Sequence, residues 1–224
     1  MQALIVFAKI PRPGRVKTRL TTVLTEADAS RLYAAFLRDA LAQYGALDAD
    51  VRLYLSPPPA PIPDGLVPAG VTVHWQSGDG LGARMARAFV ETFAAGYERV
   101  VIIGTDHPTL PSAFIEQAFA SLAEPRALCL GPSDDGGYYL LGMNEPYTSV
   151  FEDMTYSHDE VFSQTLERCA ATPATTTVLP PWYDVDDPDA LRRLVAELAA
   201  PGVEAPHTRR VMAELTAAYP ALTD

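Results

Sequence analysis

The stretch that decides the fold is Ala3-Leu-Ile-Val-Phe-Ala8, which runs directly into the basic loop Lys9-Ile-Pro-Arg-Pro-Gly-Arg-Val-Lys-Thr-Arg19. A short, continuous apolar run bounded by proline and glycine is typical of a parallel strand that is buried on both faces. Parallel strands need crossover connections. Apolar residues at helical spacing over Glu26–Tyr44, with Thr25 as N-cap, predict the first crossover helix. This part of the sequence therefore predicts an α/β fold.

The alternation of strand and helix signals continues along the rest of the sequence. Tyr138–Met143 follows the strand before it too closely for a helical crossover, so a hairpin or a strand reversal is expected there. Ser56–Pro68 is predicted to be a surface loop rather than a linker, and no internal repeat divides the chain. We therefore predict one domain over residues 1–224, with a mostly parallel sheet and helices on both faces.

The other predicted strands are Asp50–Leu55, Val71–Trp75, Arg99–Gly104, Ala127–Leu130 and Thr175–Leu179. The other predicted helices are Leu81–Ala95, Ser112–Ala123 with Ser112 as N-cap, His158–Ala171, Pro188–Leu198 and Thr208–Ala218.

Net charge and the lengths of the apolar runs exclude two classes of binding partner. The formal net charge is −11, so no nucleic-acid partner is expected, because the phosphates of a polyanion would be repelled. No apolar run is long enough to span a bilayer, and two cysteines are too few for a disulfide framework. We therefore expect a cytoplasmic protein without a membrane partner, and the oligomeric state stays open.

Positive charge is concentrated in the loop after the first strand. Five of the 17 lysines and arginines lie there, including the only two lysines of the chain: Lys9, Arg12, Arg15, Lys17 and Arg19. With the backbone amides near Gly14, these side chains suit phosphate oxygens, although a solvated basic loop explains them too. The loop is not a Walker motif, because Val16 stands where a glycine would precede Lys17.

Two further segments lie near predicted strand ends, where open α/β sheets bind their ligands. Gly78-Asp-Gly-Leu-Gly-Ala-Arg84 enters a helix, so Gly82 and Arg84 predict a second phosphate site, or only a glycine turn that starts the helix. Asp106, just after a buried strand, predicts a ligand for Mg²⁺ or Mn²⁺, or an Asx turn. His107 beside it could lend a nitrogen to Mn²⁺, but we rather expect it to stabilise the turn or to face solvent.

Two acidic segments complete the candidate site. Asp135-Gly-Gly-Tyr138 offers a carboxylate, close backbone approach and an aromatic face to a polyhydroxylated substrate, and it also fits an ordinary hairpin turn. The run Asp184-Val-Asp-Asp-Pro-Asp189 either caps the next helix or supplies a second metal ligand, from Asp184 or Asp186. The predicted catalytic residues are Asp106 and Asp135, and the predicted substrate contacts are Gly136, Gly137 and Tyr138.

In this order, the segments resemble a bacterial family of small proteins assigned as glycosyltransferases, some of them linked to arsenosugar biosynthesis. The resemblance runs from Val6 to Asp189 and rests on Lys17-Thr-Arg-Leu20, Gly104-Thr-Asp-His-Pro108 and Asp135-Gly-Gly-Tyr138. It implies the glycosyltransferase A-type fold of the nucleotide-diphospho-sugar transferase superfamily, related to 2-phospholactate guanylyltransferases. On that template, Asp106 is the principal metal ligand, and the loop with Lys17 and Arg19 faces the phosphates.

The sequence departs from the family pattern at three places that bear on acceptor specificity. Gly80-Leu-Gly-Ala-Arg-Met85 stands where Asp-Leu-Gly-Glu-Arg-Met is frequent, which removes two acidic groups. His107 stands where cysteine is common, and Tyr156-Ser-His158 where Trp-Ser-Thr is usual.

Three functions fit these residues. The resemblance and the Asp135–Tyr138 turn favour glycosyl transfer from a nucleotide sugar to a small-molecule acceptor, which we prefer. The basic loop favours nucleotidyl transfer from a nucleoside triphosphate to a phosphorylated or acidic small molecule, with release of pyrophosphate, because a triphosphate carries more charge to neutralise. The third alternative is a nucleotide-binding module without turnover.

Overall fold

The computed structural model describes residues 1–57 and 60–222, and within them seven strands form one sheet in the order β3-β2-β1-β4-β6-β5-β7. Pro58 and Pro59 of the predicted Ser56–Pro68 loop lie outside the described residues. The strands are β1 (Gln2–Lys9), β2 (Asp50–Ser56), β3 (Thr72–Trp75), β4 (Arg99–Ile103), β5 (Ala127–Pro132), β6 (Tyr138–Met143) and β7 (Thr175–Val178). The helices are α1 (Glu26–Tyr44), α2 (Gly80–Ala94), α3 (Ser112–Ser121), α4 (Val161–Ala170), α5 (Pro188–Ala199) and α6 (Pro206–Ala218).

The sheet is parallel except at one inserted strand. β1 pairs in parallel with both β2 and β4, whereas β6 runs antiparallel to both β4 and β5. The prediction of a strand reversal at Tyr138–Met143 is thus confirmed. Because the chain leaves β1 towards β2 and returns on its other side as β4, the sheet order reverses between β1 and β4, and such a switch point is where open sheets bind ligands.

Helices cover both faces of the sheet, as predicted. Leu4 and Val6 of β1 belong to a core that includes residues of α1 and α3, while Ile5 belongs to a core with Phe89 of α2 and Cys169 of α4. A third apolar core joins the outer side of α1 to α5 and α6. The alternation of β1 between two cores explains why its sequence is apolar throughout.

Local capping explains where the predicted helix boundaries hold and where they are wrong. Thr25 caps α1 as predicted, since its hydroxyl accepts a hydrogen bond from the Asp28 amide at 3.1 Å. Ser112 is not an N-cap, because Pro111 occupies that position without a side-chain hydrogen bond. Helix α4 starts after His158, whose ring accepts a hydrogen bond from the Glu160 amide and holds a local turn.

Among the described residues, no helix is long and apolar enough to cross a membrane. This agrees with the absence of a spanning run in the sequence.

Helix α6 is anchored by a buried carboxylate, which gives a test of the fold. Asp39 of α1 is 4% exposed and accepts hydrogen bonds from the amides of His207 and Thr208 at 3.0 and 2.7 Å. We predict that Asp39→Ala lowers the free energy of unfolding by about 1–3 kcal/mol, because it leaves these helix N-terminal donors without a partner. Asp39→Asn keeps one acceptor oxygen and should lose less.

Urea denaturation followed by circular dichroism measures both variants against Asp48→Ala, in which an exposed aspartate is removed. Equal midpoints for Asp39→Ala and Asp48→Ala would contradict the capping role.

Candidate functional site

A cavity of about 720 Å³ opens at the carboxyl ends of β1 and β4. The residues around it come from the basic loop, the start of α2, the loop after β4, the β5–β6 turn and the segment before α5. The structure therefore brings most of the predicted site residues together. Those that line the cavity are Lys9, Lys17, Arg19, Arg84, Asp106, Asp135, Gly137, Tyr138, Asp184 and Asp186.

The centre of the cavity wall is an ammonium group held by two carboxylates. The Lys17 ammonium contacts Asp106 Oδ1 and lies 2.8 Å from Asp186 Oδ1. Its side chain is 2% exposed, whereas those of Asp106 and Asp186 are 41% and 42% exposed. Burial alone would lower the pKa of Lys17, but the two carboxylate charges outweigh it and the pKa ends above its ordinary value. Lys17 is therefore a charged, buried counter-ion.

Local structure directs the Lys17 side chain into the interior. Val16 and Leu20 on either side are 3% and 0% exposed and pin the loop to the core. Lys17 has a left-handed backbone, with φ 49° and ψ 41°, and precedes a short 3-10 helix at Thr18–Thr22. A left-handed non-glycine residue costs about 1–2 kcal/mol, so the surrounding contacts hold it there.

A third carboxylate, Asp184, lies beside this pair. Its segment is fixed by the Val185 amide, which donates to the Asp106 carbonyl at 2.8 Å, and by Ser133, whose hydroxyl donates to Asp184 Oδ2 at 3.2 Å. Burial raises the pKa of Asp184 to about 7, and the neighbouring charge of Asp106 adds to this effect. Two distant segments of the chain, one with Asp106 and one with Asp184 and Asp186, thus bring three carboxylates together, and two of them contact the Lys17 ammonium.

His107 is an interior residue, so the prediction of a turn-stabilising or solvent-facing histidine is wrong. Its side chain is 1% exposed, and neither ring nitrogen has a hydrogen-bond partner among the described residues. Burial, followed by the charge of Lys17, lowers the pKa of His107 to about 3, so the imidazole is neutral near neutral pH. The 3.9 Å approach of its Nδ1 to Asp184 Oδ1 is therefore not an ion pair.

The carboxylates suit a divalent cation that substrate completes. Within residues 1–57 and 60–222, no three His, Cys, Asp or Glu side chains form a cluster that could hold a metal alone. Asp106 and Asp186 nevertheless converge on one cation position, at present taken by Lys17. Mg²⁺ is commonly held by one or two carboxylates together with water and substrate phosphates. The donor set therefore fits a shared ion rather than a closed protein site.

Four predicted binding residues do not line the cavity: Arg12, Gly14, Gly82 and Gly136. Packing explains two of these glycines. A Cβ at Gly82 would stand 2.9 Å from the Tyr156 hydroxyl, and a Cβ at Gly136 would overlap the Asp159 carbonyl. Both glycines therefore let the segment around residues 156–159 approach the cavity, and their predicted ligand contacts stay predictions.

Sequence reasoning missed several residues that line the cavity. Asp159 lies in the loop before α4, which the sequence placed inside that helix, and Tyr156 of the same loop was named only as a departure from the family pattern. Gln76 follows β3, and its amide donates to the Tyr54 and Ala8 carbonyls at 3.0 and 3.3 Å. Tyr33 lies on the apolar face of α1 and reads as core, but its hydroxyl accepts a hydrogen bond from the Lys9 amide at 2.9 Å. The signal available in the sequence was Gly136, because a glycine can indicate that another backbone segment, here that of Asp159, packs closely against it.

The sequence profile of one protein family matches residues 37–158; the family is described as uncharacterized protein conserved in bacteria (DUF2064). The chain is 30% identical to a protein of Desulfovibrio desulfuricans G20 described as a "putative nucleotide-diphospho-sugar transferase". That structure superposes with a TM-score of 0.89 over 99% of this chain and 97% of that chain. No curated protein matches this sequence.

More distant solved structures share the fold alone. One is CMP:2-keto-3-deoxy-manno-octonic acid synthetase complexed with CTP, at 11% identity and a TM-score of 0.51 over 88% of this chain and 98% of that chain. Another is 4-diphosphocytidyl-2C-methyl-D-erythritol synthase, at 10% identity and a TM-score of 0.56 over 89% and 98%. The predicted fold class is thus confirmed.

The contact of Gly136 with Asp159 gives a test of how the cavity wall is assembled. Gly136 has φ +85°, and Gly70 has φ +87° with no atom within 4 Å of the position that a Cβ would take. We predict that Gly70→Ala costs about 1–2 kcal/mol of stability from backbone strain, whereas Gly136→Ala costs about 2–5 kcal/mol, because a clash with Asp159 adds to the strain. Urea midpoints of the two variants measure the difference, and equal losses would refute the close approach.

Proposed function

Because the chain belongs to the bacterial DUF2064 family, and a relative of known structure is described as a "putative nucleotide-diphospho-sugar transferase", we propose that it is a metal-dependent glycosyltransferase. In this proposal it moves a sugar from a nucleotide sugar to a small-molecule acceptor. The observation that carries the proposal is the cavity itself, which places cationic side chains, the Asp106–Asp186 pair and the Asp135–Tyr138 turn around one space.

The distribution of charge favours a diphosphate over a triphosphate. Lys17 is already neutralised by two carboxylates, and Arg12 and Arg15 do not line the cavity. The cavity cations that remain for phosphate oxygens are Lys9, Arg19 and Arg84. Of the five cations in the basic loop that favour a triphosphate, three line the cavity, and Lys17 among them is paired with carboxylates in the metal-free protein. This observation supports glycosyl transfer over nucleotidyl transfer.

The proposed reaction is a single displacement at the anomeric carbon. An acceptor oxygen forms the new bond to that carbon, the bond from the carbon to the diphosphate oxygen breaks, and the diphosphate leaves with the electron pair. A Mg²⁺ or Mn²⁺ ion held by Asp106 and Asp186 would neutralise charge on the leaving diphosphate. Lys9, Arg19 and Arg84 would bind and orient its oxygens.

The β5–β6 turn would serve the acceptor side. Asp135 lines the cavity, and its Oδ1 accepts a hydrogen bond from the Gly137 amide at 2.9 Å, which fixes the carboxylate. We assign to Asp135 the removal of the acceptor proton, and to Tyr138 an aromatic surface for a sugar ring. The link to arsenosugar biosynthesis and the relationship to 2-phospholactate guanylyltransferases stay predictions. The base, the sugar and the acceptor stay open.

A donor panel tests the proposal. The protein is incubated with Mn²⁺ and either nucleotide sugars or nucleoside triphosphates, and released diphosphate or pyrophosphate is measured. We predict diphosphate release from one class of nucleotide sugar, and a loss of at least about 100-fold in Asp106→Asn, because the metal position loses one carboxylate charge. Asp134→Asn is the matched control, since Asp134 pairs with Arg193 and does not line the cavity.

The panel separates the alternatives. Pyrophosphate release with a triphosphate and a phosphorylated acceptor would replace glycosyl by nucleotidyl transfer. Nucleotide binding without any product would favour the binding module.

Helix α2 provides a second test, because two arginines one turn apart have different surroundings. Arg84 lines the cavity, and its Nε donates to the Gly78 carbonyl at 3.1 Å. Arg87 instead pairs with Glu91 at 2.9 Å. We predict that Arg84→Gln weakens nucleoside diphosphate binding about 10-fold or more, since a hydrogen bond to a charged group contributes about 1.5–3 kcal/mol. Arg87→Gln should bind normally in calorimetry; equal losses would remove Arg84 from the phosphate site.

A further inference from the structure

We propose that Lys17 is the resident cation of the Asp106–Asp186 pair and opposes the entry of a divalent ion, so that Lys17 has to leave the pair for the metal to bind tightly. The inference rests on the metal dependence in the proposed function and reassigns a residue that the sequence places on the phosphates. In the absence of substrate and metal, the cation between Asp106 and Asp186 is thus the Lys17 ammonium.

The Lys17 ammonium lies where two carboxylates meet. The ammonium touches one oxygen of Asp106 and lies 2.8 Å from one oxygen of Asp186, so it occupies the position where both carboxylates converge. Lys9, Arg19 and Arg84 line the same cavity, but the ion pairs of Asp106 and Asp186 in the described residues are made with Lys17. Without Lys17, the carboxylates of Asp106, Asp184 and Asp186 would face one another, which is unfavourable at short range.

The fold itself holds the Lys17 side chain in this position. The left-handed backbone at Lys17 and the buried neighbours Val16 and Leu20 direct the side chain inward. The ammonium also lies 5.6 Å from the Phe36 ring and 6.0 Å from the Tyr33 ring, so aromatic faces of α1 hold it from behind. A flexible phosphate ligand would not need a strained backbone and an aromatic support of this kind.

The consequence is a competition between two cations for one pair of carboxylates. The Asp106 and Asp186 side chains are about two-fifths exposed, so an ion can reach them, but it meets the positive charge of Lys17 there. Removal of that charge should therefore tighten metal binding even though it removes a favourable contact of the metal-free protein. If Lys17 only bound phosphate, its substitution would leave the affinity for the metal unchanged in the absence of nucleotide.

The first experiment measures Mn²⁺ binding without nucleotide, by calorimetry or electron paramagnetic resonance, in the wild type, Lys17→Met and Arg15→Met. We expect Lys17→Met to bind Mn²⁺ about tenfold tighter or more. Arg15→Met removes an exposed cation of the same loop that does not line the cavity, keeps Lys17 between the carboxylates and should match the wild type. We also expect Lys17→Met to have a lower melting temperature without metal and a larger rise on addition of Mn²⁺.

The second experiment uses the wild type, so it does not depend on the folding of a variant. Acetic anhydride labelling and peptide mass spectrometry report the reactivity of both lysines, with the exposed Lys9 as internal reference. We expect Lys17 to be protected without metal and to react several-fold faster at saturating Mn²⁺, while Lys9 stays constant.

The outcomes separate this inference from the proposed function. Mn²⁺ binding by the wild type, with no gain in Lys17→Met and no change in Lys17 reactivity, would overturn the competition and leave metal dependence intact. If neither the wild type nor Lys17→Met binds Mn²⁺ without nucleotide, the inference is overturned. The metal dependence of the proposed function is then decided by diphosphate release with and without Mn²⁺, because substrate phosphates complete the site.

Discussion

The contact of the Lys17 ammonium with Asp106 and Asp186 is the interaction on which the rest of the site depends. It joins the loop after β1, the loop after β4 and the segment before α5, which are far apart in sequence. Removing one partner of a buried charge pair leaves an uncompensated charge, so these three segments are constrained together. Burial keeps the nearby His107 neutral and the charge of Lys17 adds to this effect, while burial raises the pKa of Asp184 and the charge of Asp106 adds to that.

The fold was largely predictable because its signals are local. The apolar run of β1 and the Thr25 cap of α1 each depend on residues within a few positions of one another, and the sheet rule then places Lys9 and Asp106 at the same edge. The strand reversal at β6 was predictable from spacing alone, since too few residues separate it from β5 for a crossover. The division of the chain into domains stays a prediction.

The interior of the site was not predictable, because it is decided by contacts over long sequence distances. Lys17 and Asp186 are 169 positions apart, and no local pattern relates them. The sequence therefore predicts that Lys17 binds phosphate, as it does for the basic residues around it. His107 read as a surface residue because it follows a strand end, yet the segment around Val185 closes over that end by bonding to the Asp106 carbonyl. Gly136 is predicted to contact substrate, and no local pattern indicates that the backbone of Asp159 also packs beside it.

The inserted strand β6 has a consequence for how this architecture could diversify. Because β6 runs against its neighbours, its start rather than its end lies at the ligand edge, and it brings the β5–β6 turn there without a helical crossover. The basic loop and the start of α2 belong to the first half of the chain, whereas this turn and the loop before α4 belong to the second. A recombination event or a designed graft that exchanges residues 133–160 would leave the cations of the basic loop and Arg84 in the sequence, but it would have to keep a side chain at position 156 that fits against Gly82. The two halves of the cavity wall can thus diversify separately, except at that contact.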